Sequence, residues 1–101
     1  MNAPLLTEPA DHAVVHNPEA QQFEVQLNGS LAVCVYHLQD GVLDIHHTEV
    51  PAALNGRGLA GKLVAATLVW AREQGLRVRP SCSYAAGYMA KHAETQDLLV
   101  R

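Results

Sequence analysis

"NGRGLAGKLVAATLVWA", Asn55 to Ala71, decides how this chain folds. Gly56, Gly58 and Gly61 open the stretch. Leu59, Leu63, Thr67 and Trp70 then share one helical face, with Val64, Leu68 and Ala71 beside it. The spacing predicts a helix from about Leu59 to Gln74, ended by Gly75 as a left-handed cap. A tight turn entering a helix aims unpaired N–H groups and the positive end of the helix dipole at an anion. One glycine is enough to start a helix. Three, flanked by Arg57 and Lys62, point to a bound phosphate.

Upstream the period is two. Phe23, Val25 and Leu27 alternate with Glu24 and Gln26, a half-buried strand. Asn28-Gly29 is a strong hairpin signal, and Leu31 to Leu38 is the return strand. Asp40-Gly41 makes a second turn into Val42 to Val50, which Pro51 closes because proline cannot continue a central ladder. Ala13 to His16 reads as a short first strand before the "NPEA" turn. Downstream of the helix, Leu76 to Pro80 reads as a strand. "SYAAGYMAKHAE" reads as a shorter helix begun at Ser81 or Ser83, with Gly87 costing it about 1 kcal/mol. The class is therefore α+β: an antiparallel β-meander followed by helix–strand–helix. Residues 1–13 read as a flexible tail and 14–101 as one domain.

Three phosphate-binding patterns fit the glycines. Gly56, four residues, then Gly61-Lys62 spell most of a P-loop, but Leu63 stands where Mg²⁺ needs Ser or Thr. Gly56, Gly58 and Gly61 also spell the dinucleotide G-x-G-x-x-G. That motif needs a parallel β–α–β unit and an acid about 20 residues on, and Pro80 to Tyr84 has none. The third pattern is the Gly58-x-Ala60 turn that grips coenzyme A. It wants antiparallel strands before the loop and one parallel strand after the helix.

With "HTEVPAALNGRGLAGKLVAATLVWA" (His47 to Ala71), "GLRVRPSCSY" (Gly75 to Tyr84), "GYMAKH" (Gly87 to His92) and the hairpins "FEVQLNG" and "DGVLDI", the chain resembles the Gcn5-related N-acetyltransferase superfamily, in its minimal single-domain branch. The resemblance covers most of the chain after residue 13. It implies a mixed sheet with helices packed on it and an acyl-CoA-binding domain. It implies backbone N–H groups of Gly56, Arg57, Gly58, Leu59, Ala60, Gly61 and Lys62 on the pyrophosphate, and Val50 pairing with the pantetheine arm as an extra strand would. The superfamily usually carries Arg or Gln where this chain has Asn55. That residue is shorter and uncharged, and Arg57 and Lys62 are placed to compensate.

The implied function is a small acetyl-CoA-dependent N-acetyltransferase acting on an amine, a protein or peptide among the options. The alternative is a non-catalytic acyl-CoA-binding or regulatory domain of the same fold. Acetyl transfer needs a base for the acceptor's proton and a donor for the oxyanion. Cys82, between strand and helix, is the candidate nucleophile, because a thiol at a helix N-terminus has a depressed pKa. The resembled branch carries a Cys at this "CSY" position, with an acetyl-cysteine role. Cys34, in mid-strand, reads as core. His47 and Glu49 are the candidate base and its orienting partner, with His46 on the opposite strand face. Tyr84 is a candidate acid for the departing thiolate, four residues before Tyr88 on one helix face.

Composition narrows the partners. The chain has 101 residues, 49% of them hydrophobic, and a net charge of −3. That suits one packed domain. Seven Lys+Arg lie scattered in the second half, without the basic stripe of a nucleic-acid or membrane binder. Two Cys without metal spacing fit thiols in a reducing, cytoplasmic setting. The N-terminus lacks a secretory pattern, no run approaches the roughly 20 apolar residues of a membrane helix, and no metal site is expected. A monomer or weak dimer through an edge strand is the expected state.

Overall fold

Two short turns build the sheet. Asn28 and Gly29 have φ of 54° and 79°, and Asp40 and Gly41 have φ of 55° and 78°. These are the left-handed values of tight hairpin turns, whose twist matches that of the strands they join. In the computed structural model, which describes residues 13–100, they connect β2 (Gln22–Leu27), β3 (Ser30–Gln39) and β4 (Val42–Glu49). A short β1 (Val15–Asn17) pairs antiparallel with β2. Helix α1 (Leu59–Glu73) then crosses to β5 (Arg77–Pro80), which pairs parallel with β4. The sheet order is β1-β2-β3-β4-β5. Helix α2 (Ser83–Lys91) follows, then a 3-10 segment, Ala93–Leu98.

The α+β class and its meander, helix, strand, helix order match the sequence reading. The bounds differ at several ends. The first strand is Val15–Asn17 rather than Ala13 to His16. Helix α2 stops at Lys91, and the residues after it form the 3-10 segment that the pattern did not announce. The tail expected over residues 1–13 lies, apart from Ala13, outside the described residues, as does Arg101. Among the described residues no helix is long and apolar enough to cross a membrane.

One sheet face makes the core. Phe23, Val25, Ala32, Cys34, Tyr36, Leu43, Ile45 and Val78 are buried on it. Leu59, Leu63, Val64, Leu68 and Ala71 of α1, with Ala85 and Met89 of α2, complete the same cluster. Thr67 is also buried in α1. Its hydroxyl donates to the Leu63 carbonyl at 2.8 Å, which satisfies a polar group that would otherwise destabilise the core. Helix α1 ends as the glycine predicted. Gly75 has φ of 70°, the Leu76 N–H bonds the Ala71 carbonyl at 2.9 Å, and the Gly75 N–H bonds that of Arg72 at 3.2 Å. Beyond α2, the Arg72 guanidinium grips both Asp97 carboxylate oxygens, at 2.8 and 2.9 Å. Leu99 bridges to Val78, so the C-terminal segment covers the β5 edge.

The alternation along β4 breaks once. Val35 pairs with His47, but the next residue, Tyr36, pairs with Ile45. His46 is the extra residue of a β-bulge. Before it, Leu43 and Ile45 face the core. After it, Thr48 does, opposite Cys34.

At the other edge, His16 ties β1 to the body. Its ring stacks on Phe23 at 4.1 Å between centroids and meets Trp70 edge-on at 4.6 Å. Its Nε2 lies 2.6 Å from the Tyr36 hydroxyl. Burial lowers the His16 pKa and raises that of Tyr36, so both groups stay neutral and share one hydrogen bond. The folded pKa of His16 lies below its unfolded value near 6.5. Its contribution to stability is therefore fully present above that pH and is lost as pH falls through the folded value. We expect urea stability of the wild type to drop over that window relative to a His16→Phe variant, whose curve lacks this component. Parallel curves for the two proteins would refute it.

Candidate functional site

The chain leaves β4 at Val50 and Pro51 and makes a 3-10 turn, Ala52–Leu54, closed by the Leu54 N–H on the Pro51 carbonyl at 2.8 Å. Leu54 is buried and anchors the loop from beneath. Gly56 (φ 80°) and Gly58 (φ 70°) then turn the backbone into α1. Gly58 is the N-cap, and no side chain caps the helix. The first bond of the helix runs from the Lys62 N–H to the Gly58 carbonyl at 3.2 Å. The N–H groups of Leu59, Ala60 and Gly61 precede it and point out of the helix start.

An open depression of about 140 Å³ lies over this helix start. Val50, Asn55, Gly56, Gly58, Leu59, Ala60 and Gly61 line it, together with Leu54 and Tyr84. Seven of the nine residues expected around a cofactor thus gather there. Arg57 and Lys62 do not line it. Arg57 is exposed beside it and Lys62 is half-buried. Leu54 escaped the sequence reading because nothing marked the 3-10 turn that aims it inward. Gly61 has a packing reason as well: a Cβ there would stand 3.4 Å from the Tyr84 hydroxyl and 4.0 Å from the Tyr88 ring.

Beside the depression the sheet splits. The β4–β5 ladder runs from Val42↔Arg77 to Ile45↔Pro80. The Cys82 N–H adds one bond to the Ile45 carbonyl at 2.9 Å. The bulge at His46 then carries β4 away, and the strand continues to Glu49 with no β5 partner. The result is a wedge with the edge of β4 on one side and the start of α2 on the other.

Cys82 sits in this wedge as the N-cap of α2, partly buried. Its Sγ lies 3.5 Å from the Thr48 Oγ1, which lies 3.9 Å from the Sγ of buried Cys34. Desolvation pushes the Cys82 thiol up. The Thr48 hydroxyl and the N–H groups of Ala85 and Tyr84 outweigh it, leaving the pKa below the ordinary value near 9.0. Cys34 is the opposite case. Burial dominates and its pKa is raised. Thr48 was missed in the sequence, because counting by twos from Leu43 and Ile45 puts it on the wrong face.

His47 and Glu49 do pair, with Nε2 3.2 Å from Oε1, and both are exposed. They stand on the sheet face opposite Thr48, so the structure does not bring them against the Cys82 sulfur. His46, at the bulge, is exposed. Tyr84 joins the glycine depression through its hydroxyl. Tyr88 turns aside and stacks on His92 at 3.9 Å. Among the described residues no three His, Cys, Asp or Glu gather as metal ligands.

Comparison with known proteins agrees with this architecture. The profile of the GCN5-related N-acetyl-transferase family matches residues 22–98. The protein NATD1 of mouse (Mus musculus) is 36% identical over 88 residues, spanning 84% of this chain and 80% of its own length. NATD1 of chicken (Gallus gallus) is 35% identical over 97 residues, spanning 93% of this chain and 88% of its own. The solution NMR structure of a GCN5-like candidate N-acetyltransferase from Staphylococcus aureus superposes with a TM-score of 0.69 at 30% identity, over 87% of each chain.

Two outcomes follow from this geometry. Gly58→Ala has open space for its Cβ but a left-handed φ of 70°. It should therefore lower stability in urea by about 1 kcal/mol through backbone strain alone. No loss would mean that the loop relaxes to another conformation. Iodoacetamide should label Cys82 in the folded protein with a half-maximal rate below pH 9.0, and Cys34 only after unfolding. A midpoint at or above that value would contradict the depressed thiol.

Proposed function

This chain belongs to the GCN5-related N-acetyltransferase family, and we propose that it moves an acetyl group from acetyl-CoA to an amine. One observation carries the reading. The short run from Thr48 to Val50 joins two features, Cys82 against Thr48 at one end and, at the other, the depression over the uncapped N–H groups of α1 that Val50 lines.

The residues present fit the donor. A pyrophosphate suits the N–H groups of Leu59, Ala60 and Gly61, which no side chain caps, reinforced by the helix dipole. Asn55 lines the same depression without charge, and Arg57 supplies the positive charge beside it. The pantetheine arm carries amides, and the unpaired edge of β4 near Glu49 and Val50 is the backbone that would hold them as a strand holds its neighbour. Acetyl-CoA brings the activated acyl group. Cys82 takes it: the sulfur bonds to the acetyl carbon, the bond to CoA sulfur breaks, and the electron pair leaves with CoA thiolate. The amine then displaces Cys82, forming the amide and returning the thiolate. The proton of the incoming amine passes to solvent water, because His47 and Glu49 pair on the sheet face away from the Cys82 sulfur.

Titration calorimetry should show saturable binding of acetyl-CoA and of CoA, and none of NAD or ATP–Mg. Binding of neither CoA species would overturn the proposal. Cys82→Ala should keep CoA binding and lose acetyl transfer. If transfer survives in that variant, the acetyl group passes directly to the amine. If wild type binds acetyl-CoA but acetylates no amine, including its own N-terminus and a lysine peptide panel, the chain is an acyl-CoA-binding regulatory domain.

A further inference from the structure

We infer that Thr48 is a positioning residue whose single hydroxyl proton is shared between two sulfurs, and that Cys34 thereby restrains the reactivity of Cys82. The inference rests on the reading of Cys82 as the nucleophile.

Thr48 has one proton to give and two lone pairs to receive. With Cys82 protonated, the Cys82 S–H donates to Thr48 Oγ1 at 3.5 Å, and the Thr48 O–H is directed at Cys34 Sγ at 3.9 Å. When Cys82 loses its proton to solvent, Oγ1 has nothing to receive from that side. The hydroxyl turns and donates to the thiolate, a stronger bond because the acceptor is charged. What it gives up is the long contact to Cys34. Cys34 has a second hydroxyl near, Thr67 Oγ1 at 3.5 Å, but that proton is engaged at 2.8 Å with the Leu63 carbonyl. Cys34 is fully buried, so it stays a neutral thiol and offers only a weak acceptor. Weak as it is, it competes for the proton that the Cys82 thiolate needs.

Other groups do not explain the arrangement. The titratable residues on the elements around Cys82 are Cys34, Tyr36 and His37 of β3, Asp44, His46, His47 and Glu49 of β4, Lys62, Arg72 and Glu73 of α1, Arg77 and Arg79 of β5, and Tyr84, Tyr88 and Lys91 of its own helix. The sulfur's favourable partners are the Thr48 hydroxyl and the N–H groups of Tyr84, Ala85 and Thr48, with no charged side chain among them. The coupling to Cys34 is mutual: a charge on Cys82 makes Cys34 harder to ionise. Thr48 reaches both sulfurs because the bulge at His46 turns it to the core face, opposite Cys34 across the β3–β4 ladder.

The test reads the pH profile of Cys82 alkylation by iodoacetamide. Buried Cys34 does not contribute, and a Cys82→Ala control confirms this. Thr48→Val keeps the shape and removes the hydroxyl. Its midpoint should rise by about one pH unit, the size of one hydrogen bond to a charged sulfur. Thr48→Ser should restore the wild-type midpoint. Cys34→Ala leaves the hydroxyl with Cys82 alone, so its midpoint should fall below wild type. An unmoved midpoint in Thr48→Val, or one that Thr48→Ser does not restore, overturns the role of Thr48. An unmoved or raised midpoint in Cys34→Ala overturns the sharing. If Thr48→Val does not fold, the Thr48→Ser and Cys34→Ala midpoints decide alone. The readout needs neither acetyl-CoA nor an acceptor, so it stands or falls separately from acetyl transfer, which CoA calorimetry on the same variants checks.

Discussion

A strand alternates its side chains strictly, so one added residue inverts everything after it. His46 is that residue. Were His46 paired in a regular ladder, His47 and Glu49 would turn toward α1 and the core, and Thr48 would turn toward solvent. With His46 bulged out, the sheet keeps its hydrophobic face and still presents a polar hydroxyl to Cys82. The same residue bends β4 off β5, since a bulge sharpens the local twist. The ladder stops at Ile45↔Pro80 and the wedge opens immediately beyond. The parity of the site and the gap that gives access to it therefore have one cause.

The glycine loop meets that wedge by a different route. Pro51 ends the strand, Leu54 is drawn into the core, and two left-handed glycines complete the turn. Nothing caps α1, although a capped start is stabilised by about 1 kcal/mol. Forgoing a side-chain cap leaves three N–H groups over an open depression, the arrangement an anion would require. The aliphatic stripe of α1 fixes the direction of this end, because Leu59 and Leu63 are buried against the sheet. Gly61 lets the Tyr84 hydroxyl come close, so α2 seats against the same turn.

Much of this was legible in the residues. Asn28-Gly29 and Asp40-Gly41 announce their turns because few dipeptides tolerate such φ values. The α1 stripe announces its period because burial selects it, and Gly75 announces the end. The turn from Asn55 into α1 was legible because glycine alone readily takes the left-handed φ found at Gly56 and Gly58. The bulge was not. His46 carries no mark that distinguishes it from its neighbours, and the pairing that creates it involves β3, ten or more residues away. Thr48 was hidden for that reason alone. The pair His47 and Glu49 was read as one face, and the geometry agrees, but the face could be assigned only with the register known. The 3-10 segment after α2 was also obscure, since it is held by distant partners, Arg72 to Asp97 and Val78 to Leu99, rather than by local pattern.

The order of the strands has a kinetic side. β2, β3 and β4 are neighbours in sequence as well as in space, joined by two-residue turns, so their pairing closes short loops at little entropic cost. β5 is different. It reaches β4 only after the glycine loop and the whole of α1, and parallel pairing of that kind is slow because the loop must be closed before the contact rewards it. The wedge exists only between β4 and a docked β5. A nascent chain that has completed its meander therefore has an ordered sheet and no wedge. The wedge waits on that late parallel contact, and the unpaired β4 edge is at its most exposed to stray strands in the interval before β5 arrives.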